Sequence, residues 1–202
     1  MAETIATSKL EAINSMLTAI GEQHVTTLTG TLAPDTSLAV HIFDETHKEI
    51  LAEGWRFNTE RDVVLTRSLL DNTISVTSDV IWVDIDPEDN AGTDVTLRGT
   101  QLFNLTTNST TFSSDLTVSK LVRLISFTSL PQHARVYIIA KASRKFYDMI
   151  TEGSSQNQSL IRNEMEARRV MKAMESDEED LNLFDGFAAG RIINRYSPLW
   201  RF

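Results

Sequence analysis

The chain has 202 residues, enough for one well-formed hydrophobic core and short for two. Hydrophobic residues make up 41% of it and charged residues 23%, which excludes a wholly disordered chain. A formal net charge of −9 excludes a protein that wraps DNA by neutralising phosphates, and the lack of cysteine excludes disulfides and thiolate chemistry.

The N-terminal residues have neither the basic stretch nor the apolar stretch of a signal peptide. The longest uninterrupted apolar run, at residues 136–140, is far too short to cross a bilayer. We therefore expect a soluble protein that is made without export and that has no membrane partner.

The first predicted helix begins after Ser8. Ser8 and Glu11 have the spacing of a capping box, in which each side chain accepts a hydrogen bond from the other residue's backbone N–H. Leu10, Ile13, Leu17 and Ile20 then recur at helical spacing, and the glycine that follows them suits a helix stop.

A second helix is predicted to begin at Asp35 or Thr36, because both side chains can cap a first turn, and to end at Gly54. Immediately after it come Trp55 and Phe57, two large aromatic residues that we expect to close the end of the helical core.

The character of the sequence changes between residues 58 and 130, where no helical period is found. Short β-favouring segments alternate with turn residues, which is typical of an antiparallel β-rich region. The predicted strands are residues 63–65, 74–76, 80–85, 95–97, 101–105 and 120–127. Residues 104–119 are rich in Ser and Thr and are expected to form a mobile loop or an exposed hairpin.

A helical hairpin is predicted from Pro131 to residue 180, with a break near Gly153. The apolar stripe of its first helix is predicted as Val136, Ile139, Ala140, Ser143, Phe146, Tyr147 and Ile150. That of its second helix is predicted as Leu160, Ile161, Met165, Val170, Met171 and Met174.

Residues 181–202 differ from the rest of the chain in charge and in aromatic content. Three arginines against one aspartate give a charge of +2, and glycines and a proline interrupt any helix. Disordered tails are usually poor in aromatic residues, so we expect an extended arm that docks onto a partner. The predicted docking residues are Arg191, Arg195, Tyr196, Trp200, Arg201 and Phe202.

Together these elements predict an α+β fold: a bundle of about four helices with a β-rich insertion between the second and third. The predicted divisions are residues 1–57 (N-terminal helices), 58–130 (insertion), 131–180 (helical hairpin) and 181–202 (arm).

Catalytic and metal-binding motifs are not found in the sequence, and no cofactor is expected. The acidic stretch that begins at Asp84 has Asp89 and Val95 where a calcium-binding EF-hand loop needs Gly and Glu, so a solvated turn is favoured. The four histidines lack the spacing of known metal motifs. A glycosidase needs only two carboxylates across a cleft, and the 28 acidic residues leave that alternative open.

Several short segments, in order along the chain, carry a family resemblance. They are residues 10–14, 20–22, 54–58, 98–99, 102–104, 130–131, 141–146, 164–169 and 182–186. In this order and spacing the chain resembles the tail tubular protein A family of short-tailed bacteriophages.

The resemblance implies a structural adaptor and not an enzyme. Family members form a dodecameric ring beneath the portal protein, connect it to the tail nozzle and let the genomic DNA pass through the ring. It therefore implies partners among copies of the chain, the portal, the nozzle and the tail fibres, and a location in the virion tail after assembly in the host cytoplasm.

A ring needs two different side surfaces on each subunit. We expect the charged faces of the last two helices to supply them, through Arg144, Lys145, Glu164, Glu166, Arg168 and Arg169. The net negative charge suits a channel lining that repels DNA phosphates. Two alternatives stay open: a tail-associated polysaccharide hydrolase that uses a carboxylate pair, and an isolated binding module unrelated to phages.

Overall fold

The protein is described by a computed structural model that covers residues 7–85, 92–151 and 157–178. Two helices come first, α1 (Lys9–Ile20) and α2 (Pro34–Ala52). The strands follow: β1 (Thr59–Glu60), β2 (Val63–Leu65), β3 (Val80–Asp84), β4 (Val95–Arg98), β5 (Gln101–Asn104), β6 (Leu116–Val118) and β7 (Lys120–Arg123). The last elements are α3 (Gln132–Ile150) and α4 (Asn157–Glu178). The predicted α+β class, with the strands between the second and third helices, is confirmed.

The capping box of α1 is present as predicted. The Ser8 hydroxyl accepts a hydrogen bond from the Glu11 N–H at 3.2 Å, and the Glu11 carboxylate accepts one from the Ser8 N–H at 2.6 Å. These bonds hold the pKa of Glu11 below its ordinary value, because they favour the ionised carboxylate. The helix ends at Gly21, whose φ of +83° is a conformation that glycine adopts without strain.

The other helix starts differ from the prediction by one or two positions. The α2 helix begins at Pro34 and its cap residue is Ala33, so the predicted start at Asp35 or Thr36 is wrong. Proline lacks an N–H and has a fixed φ, which suits the first helical position and moves the start there. Pro131 is the cap residue of α3 and does not lie in its first turn.

The helical core forms around α3, which contacts α1, α2 and α4. Its largest fully buried side chains include Tyr137, Phe43 and Phe146. The apolar stripe predicted for α3 is partly wrong, because Val136 is 45% exposed while Tyr137 and Ile138 are buried. Three helices cover α3 on different sides. Its buried surface is therefore wider than the predicted stripe and is centred on a different face of the helix.

The strands form three small antiparallel sheets around a second core. Their orders are β1-β7-β3, β2-β6 and β4-β5. The second core consists of apolar residues from these strands and the turns between them: Ile74, Val80, Val83, Ile85, Val95, Leu102, Phe112, Leu116, Val118 and Leu121. Predicted strand 74–76 is not formed, although isolated bridges join Thr73 to Thr111 and Ser75 to Gln101.

Of the two alternatives predicted for residues 104–119, a mobile loop or an exposed hairpin, the structure agrees with the hairpin at its start, where an antiparallel bridge joins Asn104 to Ser109. The Asn104 side chain accepts hydrogen bonds from the N–H groups of Thr106 and Thr107 at 2.9 and 3.0 Å. Phe112 from the same segment is buried in the β core. The segment is therefore anchored at both its start and its middle.

The Asn58 side chain joins the helical part to the strands, and two aromatic residues beside it close the helical core. The buried Asn58 amide donates to the carbonyls of Leu51 in α2 and Arg123 in β7, both at 2.8 Å. The Trp55 indole N–H donates to the Ile50 carbonyl at 2.8 Å, and Trp55 and Phe57 both pack against the helical core. The predicted closure of the core by these two aromatic residues is confirmed.

Three predicted features lie outside the described residues. They are the acidic turn at residues 86–91, the break at Gly153, and the arm of residues 181–202 with its docking residues.

Candidate interface surfaces

The charged residues of α3 and α4 were predicted to form contacts between subunits, and the structure shows which of them are already paired. Arg144 on α3 donates to Glu164 on α4 and forms a second ion pair with Asp148 at 3.0 Å. The hydrogen bond to Glu164 raises the pKa of Arg144. The pair fixes α4 against α3 within one chain.

A second set of ion pairs joins α2 to α3. Glu49 of α2 pairs with Lys145 and, at 3.2 Å, with Lys141. The hydrogen bond from Lys145 holds the pKa of Glu49 below its ordinary value. The charge of Lys145 is therefore already paired within its own chain.

The remaining predicted residues lie on the more exposed part of α4. Arg168 approaches Glu53 of α2 at 3.8 Å, a loose pair. Arg169 binds Glu166 on the same helix at 2.6 Å, and both side chains are mostly exposed. The role of these residues between subunits stays a prediction, and Glu166, Arg168 and Arg169 are the ones that remain accessible for it.

Most of α4 is accessible to solvent. Among its described side chains only Ala167 and Met171 are buried. Ile161, Met165 and Met174, predicted to lie in the core, are 40%, 67% and 46% exposed. The described part of the chain therefore covers one side of this helix, and large apolar side chains remain exposed on its other sides.

An open apolar groove of about 810 Å³ lies between α1, α3 and α4. Its walls are mainly apolar: Ala19 from α1, Val136, Ile139 and Ala140 from α3, and Leu160, Val170 and Met174 from α4. His133 also lines it, and its Nε2 atom is buried without a hydrogen-bond partner among the described residues. That nitrogen is not exposed to solvent, so the accessible surface of the groove is mainly apolar.

A second cleft, of about 760 Å³, lies where the end of α2, the three-stranded sheet and α4 meet. Trp82 lines it and is 46% exposed. One oxygen of Glu175 accepts the Arg56 N–H at 2.8 Å, and the other is buried without a described partner. Lys120 and Lys172 add positive charge to the same cleft.

Residues 7–85, 92–151 and 157–178 contain no cluster of three or more His, Asp or Glu side chains that could hold a metal ion. In the same ranges, no helix has the length and apolar character needed to cross a membrane.

The sequence contained one indication of the groove that was missed. Val136, Ile139 and Ala140 were recognised as an apolar stripe at helical spacing but were assigned to the core. Tyr137 and Ile138 form a second apolar pair beside that stripe. A helix with apolar residues on two adjacent faces has more apolar surface than one core contact needs.

A family comparison covers most of the chain. The family model of tail tubular proteins matches residues 10–181, so it includes every surface described above and ends before the predicted docking residues 191–202. No curated protein matches the chain. Because the family match spans well over half of the 202 residues, the chain belongs to the tail tubular protein family, the structural proteins of bacteriophage tails.

Proposed function

We propose that the chain is the subunit of an adaptor ring, a dodecamer, that joins the portal of a short-tailed phage to the tail nozzle. The family match over residues 10–181 is the observation that carries this proposal. In this role the protein acts by assembly in the host cytoplasm, has no catalytic site and requires no cofactor.

The exposure of α4 supports an assembly role. The 22-residue helix α4 packs against α3 on one side, and only two of its described side chains are buried. Apolar residues that remain exposed on it gain free energy when another molecule covers them. A head-to-tail ring provides such a cover for every subunit, because each copy meets a neighbour on both sides.

The charge balance supports a channel for DNA. With a net charge of −9, the ring as a whole repels phosphates and lets DNA pass without sequence-specific binding. In this proposal the β-rich insertion meets the nozzle or the fibres, while the helical part forms the ring.

The C-terminal residues are proposed to attach the ring to the portal through Arg191, Arg195, Tyr196, Trp200, Arg201 and Phe202. Aromatic residues and arginines are the types that contribute most to binding at interfaces. Removal of residues 181–202 is expected to leave the fold intact and to weaken attachment to the portal. A truncated chain that binds the portal as tightly as the full chain would contradict this part of the proposal.

Native mass spectrometry and negative-stain imaging of the full chain, alone and mixed with portal protein, test the proposal. We expect closed rings, either in both samples or only on the portal. The second result would show that the portal templates assembly. A chain that stays monomeric in both samples would reject the adaptor function.

A further inference from the structure

We propose that the cleft where α2, the three-stranded sheet and α4 meet is covered by the stretch of the same chain that follows α4. This stretch, which we call the post-helix segment, is Glu179, Asp180, Leu181, Asn182, Leu183 and Phe184. The contact lies within one chain, so it goes beyond the adaptor function and does not depend on ring formation. It fixes the start of the C-terminal arm and leaves the end of the arm for a partner.

The floor of the cleft is one row of side chains across the three-stranded sheet. Thr59 of β1 lies opposite Val122 of β7, and Val122 lies opposite Trp82 of β3. Side chains that lie directly opposite each other on paired strands project from the same face, and all three line the cleft. Trp82 is on an outer strand of this sheet and 46% of it is exposed. The floor therefore includes a large aromatic ring that the described residues leave partly uncovered.

The rim of the cleft is positively charged, although the chain as a whole has a net charge of −9. Its charged side chains are four cations and two carboxylates: Arg56, Arg61, Lys120, Lys172, Glu53 and Glu175. Four cations against two carboxylates give +2. Both carboxylates already have partners, because Glu53 approaches Arg168 at 3.8 Å and Glu175 accepts the Arg56 N–H at 2.8 Å. The rim thus attracts further negative charge.

The post-helix segment begins with that charge. Glu179 and Asp180 are its first two residues. Among the described residues, the side chains of Arg56, Lys120 and Lys172 form no ion pair, and all three are exposed. Opposite charges that face each other favour one arrangement of two surfaces over others. The acidic start of the segment therefore complements the rim.

The rest of the segment complements the floor. Leu181, Leu183 and Phe184 follow the two acidic residues. An apolar side chain that covers an exposed aromatic ring removes the surface of both from water, and two aromatic rings in contact add a further favourable interaction. The segment thus has an acidic part and an apolar part, as the cleft has a basic rim and a partly apolar floor.

The position of α4 favours this segment over any separate molecule. Lys172, Glu175 and Ser176 line the cleft, and the helix ends at Glu178, so the segment begins three residues after the last of them. Six extended residues span about 20 Å, which is enough to cross a cleft of about 760 Å³. A group tethered this closely has a local concentration of about a millimolar or more, so modest contacts suffice to hold it.

Introduced cysteines test the contact, because the native chain has none. A52C places a thiol at the cleft, on an exposed residue at the end of α2, and N182C places one in the segment. The full chain with both substitutions, which we call the paired-cysteine chain, is treated with a short bis-maleimide at low concentration. Intact mass and peptide mapping identify the link.

The matched control is the full chain with L70C and N182C. Leu70 is 99% exposed and does not line the cleft, so its thiol is at least as accessible to the reagent. We expect the crosslink within the paired-cysteine chain to form at least about tenfold faster than in the control, because docking raises the local concentration of one thiol near the other.

Charge reversal tests whether the rim holds the segment. In the paired-cysteine chain, E179K with D180K is expected to slow the crosslink to the rate of the control. Adding K120E and K172E to that chain restores the opposite charges in reverse and is expected to restore most of the rate. Circular dichroism verifies that each variant keeps the fold.

The outcomes separate this inference from the proposed function. Equal rates in the paired-cysteine chain and the control overturn the contact. A crosslink that joins two chains, seen when the A52C and N182C single variants are mixed, overturns it as well, because the segment then docks on a neighbour. Charge reversal without effect, or without rescue, overturns the assigned charge pairing. A chain that forms no rings with portal but gives the intrachain crosslink supports the contact and rejects the adaptor function alone.

Discussion

The helical part and the β-rich insertion are stabilised in different ways. The helical core is one continuous cluster in which α3 contacts three other helices. The insertion has a smaller core, and its strands are two to five residues long and divided among three sheets. Short strands supply few ladder hydrogen bonds, so side chains such as Asn104 complete the bonding of the turns.

This difference indicates where each part is vulnerable. Loss of apolar volume damages the helical part most, since burial is its main source of stability. Loss of single polar side chains damages the insertion and the junction most, because each bonds to backbone groups that have few alternatives. Substitutions in the helical part and at its junction with the insertion sharpen this contrast, from the largest expected effect to the smallest.

Phe146→Ala is expected to cost about 3–5 kcal/mol of unfolding free energy, because it leaves a large cavity at a fully buried position in the helical core. Urea denaturation followed by circular dichroism measures it. Met149→Ala is the control, since Met149 is on the same helix and 66% exposed, and we expect a change within about 0.5 kcal/mol there. Equal effects at the two positions would contradict the packing described for α3.

Asn58→Ala is expected to cost about 1–3 kcal/mol, because the carbonyls of Leu51 and Arg123 lose their buried donor. The substitution also loosens the junction between the helical part and the β-rich insertion. The two parts should then unfold in separate transitions, one seen by tryptophan fluorescence and the other by circular dichroism. Asn163→Ala, at an exposed position on α4, is the control and should leave the two transitions together. Coincident transitions with unchanged stability in Asn58→Ala would show that the junction does not depend on this amide.

His47 is expected to make the helical part lose stability as the pH falls. Burial lowers the pKa of His47, and although Asp44 opposes this effect, Lys9 and Lys48 add to it. Because the pKa of His47 is lower in the folded state, its neutral imidazole contributes to folding stability above the ordinary pKa of 6.5. That contribution is lost as the pH falls below 6.5.

Unfolding free energy measured from pH 7.5 to 5 should therefore decrease less steeply in His47→Leu than in the native chain. His41→Leu, at an exposed position on the same helix, serves as the control and should keep the native slope. If the unfolding free energy of His47→Leu falls with pH as steeply as that of the native chain, the His47 imidazole is not the source of the pH dependence.

Glu49→Gln is expected to have the smallest effect, below about 1 kcal/mol, because its side chain is 47% exposed and solvent screens the pairs with Lys141 and Lys145. Since the pKa of Glu49 is lowered in the folded state, the stability that its carboxylate contributes is present above the ordinary pKa of 4.5. It is lost as the pH falls through the pKa of the folded state. At pH 7, high salt should remove the difference in unfolding free energy between Glu49→Gln and the native chain. Glu45→Gln on the same helix is the control, and an effect of equal size there would argue against a specific tie between α2 and α3.

Local sequence signals determined the order and type of most elements. The capping box at Ser8 and Glu11 fixed the start of α1, and the strand at residues 63–65 has the predicted bounds. These signals succeed because capping and hydrophobic periodicity act between residues that are close in sequence. The α+β class and the position of the insertion follow from them.

Tertiary structure alone decided the shortest strands and the surfaces that remain open. Strand β6 exists because it pairs with β2, where Val63 lies opposite Val118, more than fifty residues away. Likewise, periodicity assigned Val136 to the apolar stripe of α3 and left out Tyr137, and the placement of α1, α2 and α4 decided that Tyr137 is the one that is covered. An apolar residue is buried when another element packs over it, and that packing is a property of the whole fold and not of the local sequence.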